Sequence, residues 1–349
     1  FLQSALNSSG IKAGVTTSPH LINWCERISI NKKNISSKTF IEIIEDILPL
    51  SERHNLTPFE LIIVTALKYF EYNNVEIIVL ETGLGGRLDA TTAHPFRPLI
   101  AFGGIGLDHC EYLGNNLSRI AKEKAAIITH GSTVISSNQN LCVKKLLEEE
   151  AYLKKAELKW VKDLSQDWKL GIKGDIQRKN AAVAKSTLES LVNLGFNITN
   201  KKIREGFELA SWPGRLQQIY WNGLPLLLDG AHNPHAAIEL SNERKNWEGE
   251  KNGIHWILAI QDNKDGPLMI KHLIKPNDIC WILDVPNHQS WSREKILEAN
   301  PKFSKQLFDA KDIESIFSTI NKENFWPDPI PVIAGSLYII GDILRRLSS

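Results

Sequence analysis

The sequence has little cysteine and no long apolar run. Its four cysteines, Cys25, Cys110, Cys142 and Cys280, are scattered with no Cys-x-x-Cys pair. That spacing argues against a disulfide framework and for small thiols in a reducing, cytoplasmic setting. No stretch approaches the roughly 18 apolar residues that a membrane span needs, and no signal peptide is visible. Charge of one sign is missing too: 41 Lys and Arg stand against 40 Asp and Glu, a formal net charge of +1. No whole-chain field therefore draws the protein to nucleic acid or membrane, although a local basic pocket for an anionic small molecule is still allowed. The 10 tryptophans show no spacing with basic residues that would build a base-stacking platform. Neither an internal repeat nor a low-complexity linker is present. What remains, 42% apolar residues and 15 prolines over 349 positions, is ordinary globular material with length for two domains.

The pattern of elements predicts an α/β protein. Residues 1–10 read as the rear of a helix ending on glycine, and 11–17 as a short strand. Ser36 or Ser37 caps a helix whose Phe40, Ile43, Ile44, Ile47 and Leu48 share one face. Thr57-Pro58-Phe59-Glu60 is a capping box with proline at the first helical position; the helix after it, apolar nearly all round, is expected to be central. Strands near 75–80, 98–103 and 132–136 alternate with helices near 117–128, 139–151, 177–194 and 200–210. Trp212-Pro213-Gly214 punctuates the pattern. Beyond it strands are expected near 216–221, 225–228, 254–260, 279–283, 305–308 and 330–334, the first two as a hairpin around Asn222-Gly223. We expect two domains, 1–211 and 212–349, the second the smaller.

One stretch stands out. The run 75–80 is β-branched and apolar enough to be buried on both faces of a parallel sheet, yet it ends on Glu81. A buried carboxylate needs a partner, and ligands of open α/β sheets gather just beyond strand carboxyl ends. Gly83, Gly85 and Gly86 then allow close backbone approach, with Arg87 and Asp89 adding opposite charges. Other strand exits echo this one. Ser18-Pro19-His20 carries a hydroxyl that could meet a metal or phosphate, but alone the signal is weak and a plain turn is the better explanation. His109, between Asp108 and Glu111, could ligate a metal, though a lone histidine is more often structural. Lys122 and Lys124 sit among alanines, a pattern that by periodicity is only a solvated face. Asp229-Gly-Ala-His232-Asn-Pro234 could hold a ribose on its acid and an anion at the following helix, and Gly335-Ser336-Leu337-Tyr338 repeats the theme.

Taken in order, these blocks resemble the folylpolyglutamate synthase/dihydrofolate synthase branch of the Mur ligase superfamily. The matching runs are Thr-Ser-Pro-His-Leu (17–21) with Glu26-Arg27-Ile28, Leu-Glu-Thr-Gly-Leu-Gly-Gly-Arg-Leu-Asp-Ala-Thr (80–91) and Gly-Leu-Asp-His-Cys-Glu-Tyr-Leu-Gly (106–114). They continue through Glu-Lys-Ala-Ala-Ile (123–127), Trp-Pro-Gly-Arg (212–215), Leu-Asp-Gly-Ala-His-Asn-Pro-His (228–235) and Gly-Ser-Leu-Tyr (335–338). The resemblance implies a larger Mur-ligase-like, P-loop NTPase-type domain binding ATP, Mg²⁺ and folate, and a smaller Rossmann-like domain on the glutamate side. It implies an ATP-dependent amide ligase that joins L-glutamate to dihydropteroate or reduced folates through an acyl phosphate, as a cytoplasmic monomer. By motif, Ser18, Glu81 and His109 match Mg²⁺ ligands. Lys124 matches a lysine that is carbamoylated to hold a second Mg²⁺. Asn180, Arg215 and Asp229 match ATP contacts; His232 and Ser336 match the glutamate side. Arg87 and Asp89 lie near the pterin and transfer site, and Lys124, His232 and Asp89 are the candidate catalytic groups.

There are departures. The family's Gly-Thr-Asn-Gly-Lys-Gly-Ser phosphate loop would precede residue 1, and no Gly-x-x-x-x-Gly-Lys-Ser/Thr run occurs in the 349 residues. The start reads as a truncation, and the chain as given is expected to be a poor catalyst. Thr91-Thr92 replaces a usual Thr-Asn, and Gln261-Asp262-Asn263-Lys264-Asp265 is a loose version of an Ala-x-x-Asp-Lys-Asp segment. Two other readings are a non-catalytic folate- or nucleotide-binding remnant of this scaffold and another Mur-like ligase.

Overall fold

The computed structural model describes residues 1–107, 110–114, 116–321 and 326–348. They form two compact units, Phe1–Gly171 with Ile176–Ser211, and Ile172–Asp175 with Trp212–Ser349. Among the described residues no helix is long and apolar enough to cross a membrane.

The first unit holds two sheets. Strands β1 (Ala13–Thr16), β2 (Ile28–Ile30), β3 (Lys33–Asn34) and β4 (Ile77–Leu80) run in the order β3-β2-β1-β4, with β1 and β4 parallel. Strands β5 (Leu99–Phe102), β6 (Thr133–Ser137) and β7 (Glu157–Val161) form a parallel sheet in chain order. Helix Leu2–Ser8 packs Ala5 and Leu6 into a core shared with Leu188, Ile203 and Phe207. Helix Pro58–Tyr72 starts as expected, with Thr57 and Glu60 closing a reciprocal capping box.

Two expectations for this unit need correction. Helix Pro58–Tyr72 buries Ile62, Ile63, Ala66 and Phe70 but exposes Val64 and Leu67, so one side of it is open. Strand β4 is not covered on both faces: it ends its sheet, and Ile78 is 44% exposed. Apolar continuity signals burial only when both neighbours and both layers are present. The β2–β3 ribbon was not foreseen. It turns on Asn31 and Lys32, both at positive φ, and a lysine in that conformation gives no turn signal.

The second unit is one six-stranded sheet. Strands β8 (Gln217–Trp221), β9 (Leu224–Leu228), β10 (His255–Leu258), β11 (Ile279–Ile282), β12 (Leu307–Asp309) and β13 (Val332–Ala334) run in the order β12-β11-β10-β13-β9-β8. All neighbours are parallel except β8 and β9. That pair is the foreseen hairpin, closed by Asn222 and Gly223 at positive φ. The strand order reverses where β13 inserts between β10 and β9, creating a Rossmann-like switch point whose carboxyl side is the natural binding crevice. Trp256, Leu258, Met269, Ile270 and Leu273 are fully buried in its core. Beneath them Asp278 accepts from both terminal nitrogens of Arg244 at 2.8 and 2.9 Å, from Trp256 Nε1 at 3.0 Å, and from the N–H groups of Ile254 and Lys275.

Candidate functional site

Because β1 and β4 are parallel and Thr16 stands opposite Leu80, the loops leaving them emerge side by side. Ser18 donates its backbone N–H to Glu81 Oε2 at 2.8 Å, and Glu81 donates its own N–H to the Thr16 carbonyl at 3.3 Å. Glu81 is exposed at this rim, so the carboxylate that ends the apolar run has the partner expected but not the burial. The Ser18–Pro19 peptide is cis. The same loop is pinned by Glu26, whose carboxylate accepts the N–H groups of Leu21, Ile22 and Asn23 at 2.7, 2.9 and 2.8 Å. Arg27 donates Nε–H to His20 Nδ1 at 2.9 Å and stacks its guanidinium 4.7 Å over the Trp24 ring. Burial, then the Arg27 charge, holds the His20 imidazole below its ordinary pKa, with Glu26 opposing.

The glycine-rich loop is folded around Asp89. This side chain is 8% exposed. Its Oδ2 accepts the N–H groups of Gly83 and Leu84 at 3.0 and 2.9 Å, and its Oδ1 accepts from Thr91 N and Oγ1 at 3.0 and 2.5 Å. Both oxygens thus serve the loop's own shape. The loop rests on helix Leu117–Ala125, which carries Lys124. Arg87 N–H donates to the Glu123 carbonyl at 3.1 Å, and Arg87 Nε meets Glu123 Oε1 at 3.2 Å. A Cβ on Gly86 would lie 2.6 Å from the Glu123 carbonyl oxygen and 3.2 Å from Lys124 Cα. The close approach at Gly86 is therefore made to this helix backbone, whereas a Cβ on Gly83 would meet the Phe59 ring at 2.5 Å. Lys124 is half-buried and engaged in polar interactions.

On the second sheet, Gln139 donates Nε2–H to the Gly103 carbonyl at 2.6 Å and accepts from Ile105 N at 3.0 Å, tying the exits of β5 and β6 together. Asn180, on helix Asp175–Asn193, donates to Gln177 Oε1 at 3.2 Å and lies beside Gly103, where an added Cβ would sit 3.6 Å from its Oδ1. His109 lies outside the described residues, as does Asp108. Among the described residues no three His, Cys, Asp or Glu side chains cluster as a metal site. Glu26, Gln139 and Glu123 carry much of this geometry without having been assigned a role from sequence. Glu26 and Glu123 stand inside recognisable blocks; Gln139 gives no sequence signal.

In the second unit Asp229 directly follows β9 and is buried. Its Oδ2 accepts Leu216 N–H at 3.1 Å and its Oδ1 accepts Ala231 N–H at 2.9 Å, while Gly230 N–H donates to the Gly214 carbonyl at 2.7 Å. Asp229 thus joins the β9 exit to the loop bearing Arg215. Burial pushes its carboxyl pKa up, against the Arg215 charge and the two backbone donors. His232 is half-buried, with Nδ1 2.8 Å from the Gly230 carbonyl, an arrangement that fixes the ring. Gly335 N–H donates to the Ala231 carbonyl at 2.8 Å, bringing the β13 exit against the same turn. Ser336 is 1% exposed, and its Oγ accepts Tyr338 N–H at 3.0 Å at the start of helix Leu337–Ser348. Arg215, Asp229, His232 and Ser336 are therefore gathered on one edge of this sheet.

The two α/β architectures, each with polar loops at its strand exits, define a protein of the class that binds its ligands beyond the carboxyl ends of sheet strands. Residues 215–346 match the family model for the dihydrofolate synthetase C-terminal domain. The chain is 30% identical over 378 residues to the probable dihydrofolate synthetase of Schizosaccharomyces pombe, covering 99% of this chain and 89% of that protein. It is 30% identical over 380 residues to the dihydrofolate synthetase of Saccharomyces cerevisiae, with the same coverage. The crystal structure of folylpolyglutamate synthase from Thermotoga maritima superposes with a TM-score of 0.82 at 28% identity, spanning 100% of this chain and 85% of that one. The chain belongs to the dihydrofolate synthase/folylpolyglutamate synthase family.

Proposed function

We propose that this protein is an ATP-dependent amide ligase that joins L-glutamate to dihydropteroate, to a reduced folate glutamate tail, or to both. What carries the reading is the end-to-end similarity to dihydrofolate synthetases; the Ser18–Glu81 contact at a shared strand rim supports it. A carboxylate is a poor electrophile, so an oxygen of the pterin acid attacks the γ-phosphorus of ATP and ADP leaves. The deprotonated amine of glutamate then attacks the acyl carbon; the C–N bond forms, the C–OP bond breaks, and phosphate departs.

In this reading Arg215, Asp229 and Asn180 serve the nucleotide. Asp229 acts mainly by holding the Arg215 loop. His232 and Ser336 stand on the glutamate side, Ser336 by capping a helix whose N-terminus favours a carboxylate. Arg87 belongs to the pterin and transfer side, where Asp89 shapes the loop rather than touching substrate. The oxygen donors of Ser18 and Glu81 fit a hard divalent cation that keeps several waters, and Mg²⁺ is the ion proposed, with His109 as a further ligand. When bound, the ion neutralises phosphate charge. Carbamoylation of Lys124 would replace an ammonium with an anion suited to a second Mg²⁺. Cytoplasmic residence rests on the scattered cysteines, and a monomeric state is proposed with it. No residue named here is assigned to the β- and γ-phosphates, since the 349 residues contain no Gly-x-x-x-x-Gly-Lys run. The second reading is a protein of the same scaffold that binds folate or nucleotide without turnover.

The test offers the full-length protein ATP, Mg²⁺ and L-glutamate with dihydropteroate, tetrahydrofolate glutamates or cell-wall precursor acids. Glutamate-dependent ADP release with a pterin acid is expected. Release only with a cell-wall precursor would reassign the ligase, and binding without release would favour the second reading.

A further inference from the structure

The loop leaving Glu81 and the helix bearing Lys124 come from separate stretches of chain, and Glu123 ties them together, beside Arg97, which donates to the Thr92 and Ile127 carbonyls at 2.9 and 3.0 Å. Glu123 uses its backbone and its side chain on the same target: its carbonyl accepts Arg87 N–H at 3.1 Å, and its Oε1 meets Arg87 Nε at 3.2 Å. Gly86 lies so near that a Cβ there would be 2.6 Å from that carbonyl and 2.7 Å from Ile127 Cγ2. The third neighbour of that position is Lys124 Cα itself, at 3.2 Å. The loop is stiffened from within by Asp89, which accepts from Gly83, Leu84 and Thr91. A loop rigid in itself and clasped at Arg87 cannot shift against the helix without breaking the clasp.

We infer that Glu123 is a positioning residue: by clasping Gly86 and Arg87 it fixes the backbone of Lys124 relative to the loop that leaves Glu81. The Arg87 and Glu123 side chains are 56% and 31% exposed, and an ion pair that wet contributes little to stability. Its value is therefore geometric. Displacements well under an ångström matter at a rim where charged groups must meet phosphate and cation together. The inference rests on the ligase reading for its consequence, though not for its geometry.

The test uses the full-length protein and the variants Glu123→Gln, Arg87→Gln, the double variant, and the charge swap Glu123→Arg with Arg87→Glu. Hydrogen exchange reads the clasp without any reaction. In Glu123→Gln the amides of 83–92 and of 119–127 are expected to exchange several-fold faster together, at a melting temperature within a few degrees of the parent. In the ligase assay each single variant is expected to raise the Mg²⁺ concentration for half-maximal rate about tenfold and to lower kcat, with KM for the pterin acid little changed in Glu123→Gln. The double variant should fall no further than either single one, and the swap should recover part of the loss. Exchange that quickens in only one segment or in neither, or singles that lose independently, would overturn the inference. A parent protein without ligase activity, but with the paired exchange effect intact, would overturn the ligase reading and leave the clasp standing.

Discussion

Ser18 donates its backbone N–H to the Glu81 carboxylate across 2.8 Å, joining the exits of two parallel strands 63 residues apart in sequence. The contact orients a charged oxygen pair at an exposed rim and uses a main-chain donor that no substitution of Ser18 other than proline would remove. Glu81→Gln keeps the shape and an acceptor oxygen but removes the charge. Turnover in the full-length protein is expected to fall about 100-fold or more, a loss in the range seen when a key electrostatic group is deleted. The melting temperature should move little because the side chain is exposed. Unchanged turnover at low Mg²⁺ would remove Glu81 from the cation site.

Lys124 tests a different part of the same rim. If its amine works as a carbamate anion, Lys124→Ala should lose most activity, and added short-chain carboxylates should restore a measurable fraction. A rate that stays flat across the whole range of added acetate or formate would exclude the carbamate role.

Much of this architecture was legible in the sequence because local signals agreed. Thr57 and Glu60 announce their helix through reciprocal hydrogen bonds, and Asn222-Gly223 announces its hairpin through φ values that few other residues adopt. All six strands of the second unit fall near their expected positions, since short apolar runs bounded by turn residues have few other ways to be buried. Other features depend on distant partners and leave no local trace. The exposure of Ile78 and Val64 reflects what does or does not pack against them. The donors of Asp89 are hidden from a linear reading in the same way: Gly83 and Leu84 lie on the same loop but meet it only once the chain has turned. Gln139 stitches two strand exits 36 residues apart, which no motif encodes.

Asp278 carries the largest single stability prediction. Five donors converge on its fully buried carboxylate. Asp278→Asn leaves Arg244 charged and under-paired in the core, an arrangement that costs about 3–5 kcal/mol. Thermal unfolding of the second unit should drop by many degrees. A shift of only a degree or two would mean that water or Glu250, 3.5 Å from Arg244 Nε, takes over the charge.

His255 predicts how stability changes with acid. Its Nδ1 is buried without a hydrogen-bond partner, and its ring lies 5.3 Å from Trp281. Burial lowers its pKa below the ordinary 6.5, with Asp278 opposing. The unfolded chain therefore takes up the proton first, so stability is retained above about pH 6.5 and declines as pH falls toward the folded value. His255→Phe keeps the ring contact and removes the titration. Calorimetry between pH 7 and 5 should show a smaller loss of melting temperature in this variant than in the parent, with a residual slope from His20 and His272, whose pKa values are also lowered by burial. Parallel slopes in the two proteins would contradict the assignment.

The most direct test follows an oxygen atom. A pterin acid labelled with ¹⁸O in its carboxylate is incubated with the full-length protein, ATP, Mg²⁺ and L-glutamate, and the released phosphate is weighed by mass spectrometry. An acyl phosphate predicts one labelled oxygen in phosphate for each amide formed. Amide formation with unlabelled phosphate, label appearing in AMP, or no ATP-dependent amide with any pterin acid would contradict the account.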